Sequence, residues 1–238
     1  MSLTGTRRLA ESSVRHMTQL PLPVTAIMGT IDEAANLRVL LPRLAPIVRE
    51  IVVVDDTSRD DSVTVARAYG AIVIERPKRL GIGSAVYAAV ARASMPTIAT
   101  MDADVSHPPE ALPAAWALLE RGYDIVRFSR FLPESTWEAP PPRRIGVRVY
   151  GAVLAAVCGL PLTDPTNGFM VARRDCFDGP TRFTTDPGEG WVAEFLSRNR
   201  TRPIVELPYA HAARAHGRSR NTLAHEASRA VRSFRFGR

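Results

Sequence analysis

The chain has 238 residues, 45% of them hydrophobic, with a net charge of +7 and a pI of about 10.2. That hydrophobic content excludes a globally disordered chain and supports a sizeable core. The basic excess is almost all arginine, Lys78 being the only lysine; with no nucleic-acid motif and only 7% aromatic residues, phosphorylated substrates or an anionic membrane are expected as partners, not nucleic acid.

Residues 1–19 are polar and read as a mobile N-terminal arm, leaving 20–238 as one expected domain. Residues 1–20 lack the continuous apolar segment of a signal peptide. Val24 to Met28 is a short apolar strand, and Leu37, Leu40, Leu41 and Leu44 mark an amphipathic helix after it. Glu50 to Val54 reads as a second strand ending in Asp55, Asp56, Thr57 and Ser58. Asp60 to Tyr69 reads as a helix that Gly70 stops, and Ala71 to Ile74 as a third strand. Next comes Arg76-Pro-Lys-Arg-Leu-Gly-Ile-Gly-Ser84, then an alanine-rich helix over Ala85 to Ala93. A basic stretch before a helix N-terminus is either an anion cradle or a glycine turn with solvated cations.

Thr97 to Met101 is β-prone and runs into Asp102-Ala-Asp-Val-Ser-His-Pro-Pro109. Extended backbone has period two, so Asp102 and Asp104 are expected to point the same way. Paired carboxylates at a strand end are either a Mg²⁺ or Mn²⁺ site or an acidic turn before the Pro-Pro helix. A helix over Glu110 to Arg121 and a strand over Tyr123 to Phe128 follow, ending at Ser129-Arg130. The prolines of 132–143 predict a loop, and Arg144 to Leu160 a helix with a basic start. Asp164-Pro-Thr-Asn-Gly-Phe169 is a turn into a strand at Met170 to Ala172. Trp191 to Ser197 is a helix, Pro203 to Pro208 the last strand, 214–220 a basic loop and Leu223 to Phe234 a basic helix. Cys158 and Cys176 are too few for a disulfide framework and read as free thiols. The five histidines show no metal-ligand spacing and are read as surface or core residues. The uncharged run between Arg148 and Asp164 is too short to span a bilayer. Strand–helix alternation over the first half predicts an α/β fold, a mainly parallel central sheet with helices on both faces.

Six stretches in order, Ile51 to Ser58, Leu80 to Ala85, Asp102 to Pro109, Phe128 to Arg130, Asp164 to Phe169 and Arg214 to Arg220, give the chain its resemblance to a family. It resembles the inverting glycosyltransferases of GT-A (Rossmann-like) fold, and among them the polyprenyl-phosphate mannosyltransferases. The resemblance implies an irregular C-terminal half that binds the acceptor. It places Gly29, Ile31, Glu33, Asp55, Asp56, Arg79, Gly81, Gly83, Asp102 and Ala103 at the nucleotide, and Asp102, Asp104 and Ser106 around Mg²⁺ or Mn²⁺. It places Arg130, Arg144, Arg148, Arg214 and Arg220 at the acceptor phosphate. Catalytic roles fall to Asp104, Asp164, Arg130 and Arg214; Asp164 either orients a substrate or caps its turn. Departures are Gly29-Thr-Ile-Asp-Glu33 in place of Pro-x-aromatic-Asn-Glu, Arg148 at a position usually small and hydroxylic, and Met170 at a position often Arg.

The implied reaction moves a hexose from a nucleotide-diphosphate sugar, GDP-mannose favoured over a UDP-sugar, to a polyprenyl phosphate. An anionic acceptor needs no strong base, and arginines would position two anions in line. The alternatives are a soluble transferase acting on a small metabolite and, remotely, a receiver-like signalling module, whose later lysine is lacking. The expected location is cytoplasmic, peripheral at the inner face of the membrane. Arg143, Arg144 and Arg148 leading into Val149 to Leu162, and Arg229, Arg232, Arg235 and Arg238 around Phe234 and Phe236, would meet anionic lipid; Val149 to Leu162 reads equally as a core helix.

Overall fold

The computed structural model describes residues 21–179 and 190–216. The expected N-terminal arm, Arg220 and the expected terminal helix lie outside the described residues. Apolar runs alternating with amphipathic segments form β1 (Leu22–Thr30), α1 (Ala34–Leu44), β2 (Val48–Asp55), α2 (Ser62–Ala68), β3 (Ile72–Glu75), α3 (Ile82–Arg92), β4 (Thr97–Thr100), α4 (Leu112–Leu119) and β5 (Ile125–Ser129). Then come β6 (Thr136–Trp137), α5 (Pro141–Cys158), β7 (Met170–Arg173), α6 (Trp191–Arg198), β8 (Ile204–Pro208) and β9 (Ala210–His211). Seven strands make one sheet in the order β3-β2-β1-β4-β7-β5-β8. The pairs are parallel except those of β7, which runs against both β4 and β5.

The strand period distributes side chains to two cores. Ile51 and Val53 of β2 join the core of α1, α2 and α4, whereas Val52 and Val54 join that of α3, α5 and α6. In α1, Leu37, Leu40, Leu41 and Leu44 follow helical spacing and are all fully buried, each contributing about 2 kcal/mol of transfer free energy. β1 lies between β2 and β4: α1 leads from β1 to β2 on one side, and α3 brings the chain from β3 back to β4 on the other. A crevice therefore opens at the carboxyl ends of β1 and β4, where open α/β sheets place their sites.

Two expectations are corrected. β4 ends at Thr100, with Met101 N–H donating to Ile27 O at 3.1 Å as the next bond. Asp102 and Asp104 therefore sit in a turn, and strand alternation does not set their directions. Residues 132–143 are not a bare loop. Thr136 and Trp137 pair with Ala210 and His211, and α5 begins at Pro141, inside the proline run. Proline suits a first helical turn because its missing N–H would have had no partner there.

β5 carries a fully buried arginine, Arg127. Its Nη2 donates to the carbonyls of Asp164 at 3.1 Å and Asn167 at 2.5 Å, and Nη1 lies 3.9 Å from the Met170 sulfur. This clamp fixes the turn between α5 and β7. Arg127→Met would leave those carbonyls without their donor in a dry site, at an expected cost of about 2–4 kcal/mol. Urea unfolding followed by circular dichroism checks this; a loss under about 1 kcal/mol would show that the clamp matters little.

Candidate active site

The acidic half of the site is built from the loops after β1, β2 and β4. Those loops hold the three non-glycine residues with positive φ among the described residues, Asp32 (56°), Thr57 (66°) and Val105 (73°). Left-handed backbone is costly for side chains with a Cβ, most of all β-branched ones. Glu33, just before α1, accepts from Asn36 Nδ2 at 2.6 Å and pairs with the Arg214 guanidinium. Arg214 Nη1 also lies 3.5 Å from Asp104 Oδ2, so one guanidinium bridges two acidic turns. The segment carrying it is pinned by Ala212 N–H to Ser106 O at 3.2 Å, Ala215 N–H to Asp104 O at 3.3 Å and His216 N–H to Asn36 Oδ1 at 2.9 Å. Asp102 is exposed, Asp104 half-buried, and Ala103 and Ser106 are buried beneath them.

Asp55 and Asp56 are both buried, and each is engaged locally. Asp55 accepts from Thr30 Oγ1 at 3.1 Å, from Ser58 N–H at 2.9 Å and from the Ser58 hydroxyl. Asp56 pairs with Arg76, whose guanidinium also donates to Ser84 and to Gly81 O at 3.1 Å. The Arg76–Ser84 loop is thus folded around an internal ion pair, and Arg79 stays exposed on it. Gly81 takes φ 84° before α3. At Gly29 a Cβ would stand 3.0 Å from Ile82 Cδ1, so glycine admits the start of α3.

The basic half centres on Arg130, next after β5. Its Nε donates to Asp164 Oδ2 at 2.7 Å, and its Nη2 to Asp164 Oδ1 and Thr166 Oγ1, each at 2.9 Å. Asp164 is fully buried. Burial pushes its carboxyl up, but the Arg130 bonds outweigh that and hold it below the usual range. Glu206 of β8 orients the same turn, accepting from Thr163 N–H at 2.7 Å and Asp164 N–H at 2.9 Å. The other side of Arg130 covers the Trp137 ring at 4.5 Å; Arg143 lies 6.0 Å from that ring, and Arg148 lies 5.8 Å from the Phe131 ring.

An aromatic stack joins the two halves. His107 stacks on Phe169 at 4.6 Å, Phe169 on Phe128 at 4.0 Å, and His211 lies 6.0 Å from His107 and 5.9 Å from Trp137. His107 Nδ1 accepts the Asp102 N–H at 2.9 Å, which fixes the turn that carries the first carboxylate. Burial lowers His107 to about 4 and His211 to about 3, so both rings are neutral near pH 7.

The structure brings Glu33, Asp104 and Arg214 into contact and sets Arg130, Asp164 and Arg148 around the aromatic group. Asp56 is buried in its ion pair with Arg76, and Arg144 is exposed on α5. Sequence reasoning missed Asn36, Arg76, Trp137, Glu206 and the two histidines as site residues, because much of what they touch belongs to other elements of the fold. Two carboxylates are donors of the kind a hard divalent cation takes, although among the described residues no three carboxylate, imidazole or thiolate side chains are grouped to hold a metal ion. Asp102 and Asp104 offer carboxylate oxygens on one short turn, and the Arg214 guanidinium already supplies positive charge there. Mg²⁺ is commonly held by one or two carboxylates with substrate phosphates completing its shell.

Residues 25–179 match the family described as Glycosyl transferase family 2. A dolichol-phosphate mannosyltransferase of Pyrococcus furiosus is 32% identical over 212 residues, which cover 84% of this chain and 59% of that protein; the chain thus spans less than two thirds of that relative. A dolichyl-phosphate hexose transferase of Haloferax volcanii is 31% identical over 196 residues, 81% of this chain and 84% of that one. The crystal structure of glucosyl-3-phosphoglycerate synthase from Mycobacterium tuberculosis, with Mn²⁺, UDP and glucosyl-3-phosphoglycerate, shares the fold with TM-score 0.67 at 20% identity, covering 94% of this chain and 80% of that one.

Asp164→Asn would leave Arg130 charged and buried without its counter-ion, an expected loss of about 3–5 kcal/mol at neutral pH. The folded carboxyl of Asp164 is depressed. Its contribution is therefore complete above the ordinary carboxylate value of about 4 and fades as pH falls through the lower folded value. Urea unfolding at neutral pH and near pH 3 should show the gap between wild type and variant narrowing in acid. A gap independent of pH would refute the assigned role.

Proposed function

Because the chain belongs to glycosyltransferase family 2, we propose that it moves a hexose from a nucleotide-diphosphate sugar to a polyprenyl monophosphate with inversion at C1, working at the inner face of a membrane. The observation that carries this reading is the pairing of the Glu33–Asp104 turns with the Arg130, Arg143 and Arg148 set around Trp137 and Phe131. One half suits a diphosphate with a cation, the other a phosphate. The names of the archaeal relatives support a polyprenyl phosphate and a hexose, mannose being favoured. GDP is the favoured nucleotide of the donor.

Asp102 and Asp104 would hold Mg²⁺ or Mn²⁺, with Ser106 beneath them; when bound, the ion neutralises charge growing on the departing diphosphate. The acceptor phosphate would rest against Arg130, whose plane is fixed by Asp164 and Thr166. Arg148 and Arg143 would share its charge. An acceptor oxygen attacks C1 as the bond from C1 to the diphosphate oxygen breaks, and that electron pair leaves with the diphosphate. The acceptor is already anionic, so no proton has to be removed first. Asp164 acts through Arg130 as a positioning residue. Arg214 would exchange Glu33 and Asp104 for the incoming anions, closing its loop over them.

Nucleotide sugars are compared by thermal shift with Mn²⁺ and by transfer to a water-soluble short-chain polyprenyl phosphate. A donor at a hundred times its Kd should stabilise the chain by about 2.7 kcal/mol. Asp104→Ala should abolish transfer and the metal-dependent shift while keeping the fold, since the residue lies outside the core. Unchanged metal-dependent binding in that variant would sink the assignment. Arg148→Ser should raise KM for the acceptor about tenfold and leave donor KM unaltered. Transfer to a small phosphorylated metabolite but not to the polyprenyl phosphate would favour the soluble-metabolite reading.

A further inference from the structure

The helix α5 is apolar on both sides. Val147, Gly151, Leu154 and Ala155 are buried against the body of the protein. Pointing the other way, Ile145 is 64% exposed, Val149 60% and Val153 40%. Spacings of four place these three in one stripe about 12 Å long, widened by exposed Ala152 and Ala156. Other exposed large hydrophobic residues among those described, Val39, Tyr69 and Leu80, lie on α1, at the end of α2 and in the loop before α3. Single exposed apolar residues are ordinary, whereas an ordered stripe marks an interaction surface. The stripe is flanked by exposed Arg144 and Arg148, and no acidic residue occurs in Pro141–Cys158.

We propose that this outward face of α5 docks on an anionic lipid bilayer, with Ile145, Val149 and Val153 entering the interface and the arginines meeting the headgroups. The occupant follows from the charge pattern. An apolar stripe flanked by arginine complements an anionic, partly apolar surface. A second copy of the same face would bring arginines against arginines, which disfavours self-association. The helix also borders the phosphate site, since Arg143 reaches the Trp137 ring and Arg148 the Phe131 ring. Docking in this way would let a lipid phosphate meet Arg130 while its hydrocarbon stays in the membrane. The inference rests on the lipid-phosphate reading of the acceptor and deepens it by naming the surface.

The test uses the full chain and a triple variant, Ile145→Ser, Val149→Ser and Val153→Ser, with the single Ile145→Ser as a milder companion. Co-sedimentation is measured with phosphatidylcholine vesicles and with vesicles enriched in phosphatidylglycerol, at low and high salt. Wild type should bind the anionic vesicles and lose binding as salt rises. The triple variant should bind about tenfold more weakly, and the single variant should fall between, each with an unchanged melting temperature and unchanged transfer to the water-soluble acceptor. Equal binding by wild type and both variants overturns the proposal, as does absence of wild-type binding at low salt. A wild-type dimer that the triple variant dissolves, without vesicle binding, overturns it in favour of a self-interface. Wild-type vesicle binding without transfer to any polyprenyl phosphate would overturn the acceptor reading alone.

Discussion

The ion pair of Arg130 with Asp164 is the constraint on which the basic half of the site depends. Asp164 has no exposed surface, and a carboxylate in such surroundings stays charged only with a matched partner and further hydrogen bonds. The chain supplies both. Arg130 binds the two carboxylate oxygens, Thr166 adds a donor to one of them, Glu206 accepts the Asp164 N–H, and Arg127 takes the Asp164 carbonyl. These bonds tie β5, β8 and the turn before β7 into one block. The antiparallel β7 follows from it, because the turn held there feeds the chain back between β4 and β5. With Nε and Nη2 both committed, the guanidinium of Arg130 is set in one plane over Trp137. A phosphate bound there, as proposed, would meet a cation that needs no reorganisation, the condition under which electrostatic stabilisation is strong.

Opposite charges a short distance apart would collapse on each other without something between them. The aromatic stack of His107, Phe169 and Phe128, with Tyr209 and His211 at its edge, is that separator. The two imidazoles contribute no charge of their own. Burial is the largest influence on each and keeps both neutral near pH 7. His107 accepts the Asp102 N–H through Nδ1, so in its neutral form the proton sits on Nε2. The ring thereby fixes the turn bearing Asp102 and packs against the core under Arg130. The two halves of the site are thus coupled through packing, in a part of the protein with little freedom to adjust.

The strand–helix alternation, the mainly parallel sheet and the acidic residues after β4 were legible in the sequence, because hydrophobic period and motif order carry them. The partners of buried charges were not. Asp56 and Arg76 are 20 residues apart, and nothing in hydrophobic period distinguishes that pair from two solvated charges. Trp137 stands in a proline-rich stretch with no period of its own, and it is buried by its pairing with β9 together with Arg130 and Phe131 against its ring. The outward face of α5 was ambiguous for a related reason. Its apolar content reads equally as core or interface, and burial alone tells Leu154 from Val153. Alternation predicted that Asp102 and Asp104 share a direction; the strand stops before them, so the turn decides.

That turn shows why some carboxylates have two tasks. A left-handed residue with a side chain costs about 1–2 kcal/mol, and the loops after β1, β2 and β4 each contain one. Each is offset by a side-chain bond beside it. Asp32 Oδ1 accepts the Arg59 N–H at 2.8 Å, Asp55 accepts the N–H and hydroxyl of Ser58, and Asp104 accepts the Ser106 N–H at 3.0 Å. The same acidic side chains that face or border the crevice therefore hold the strained loops in shape. Asp104 has one oxygen committed to its own turn and the other turned toward Arg214. A carboxylate anchored in this way has its direction fixed by the fold, and the strain of Val105 is the cost of that aim.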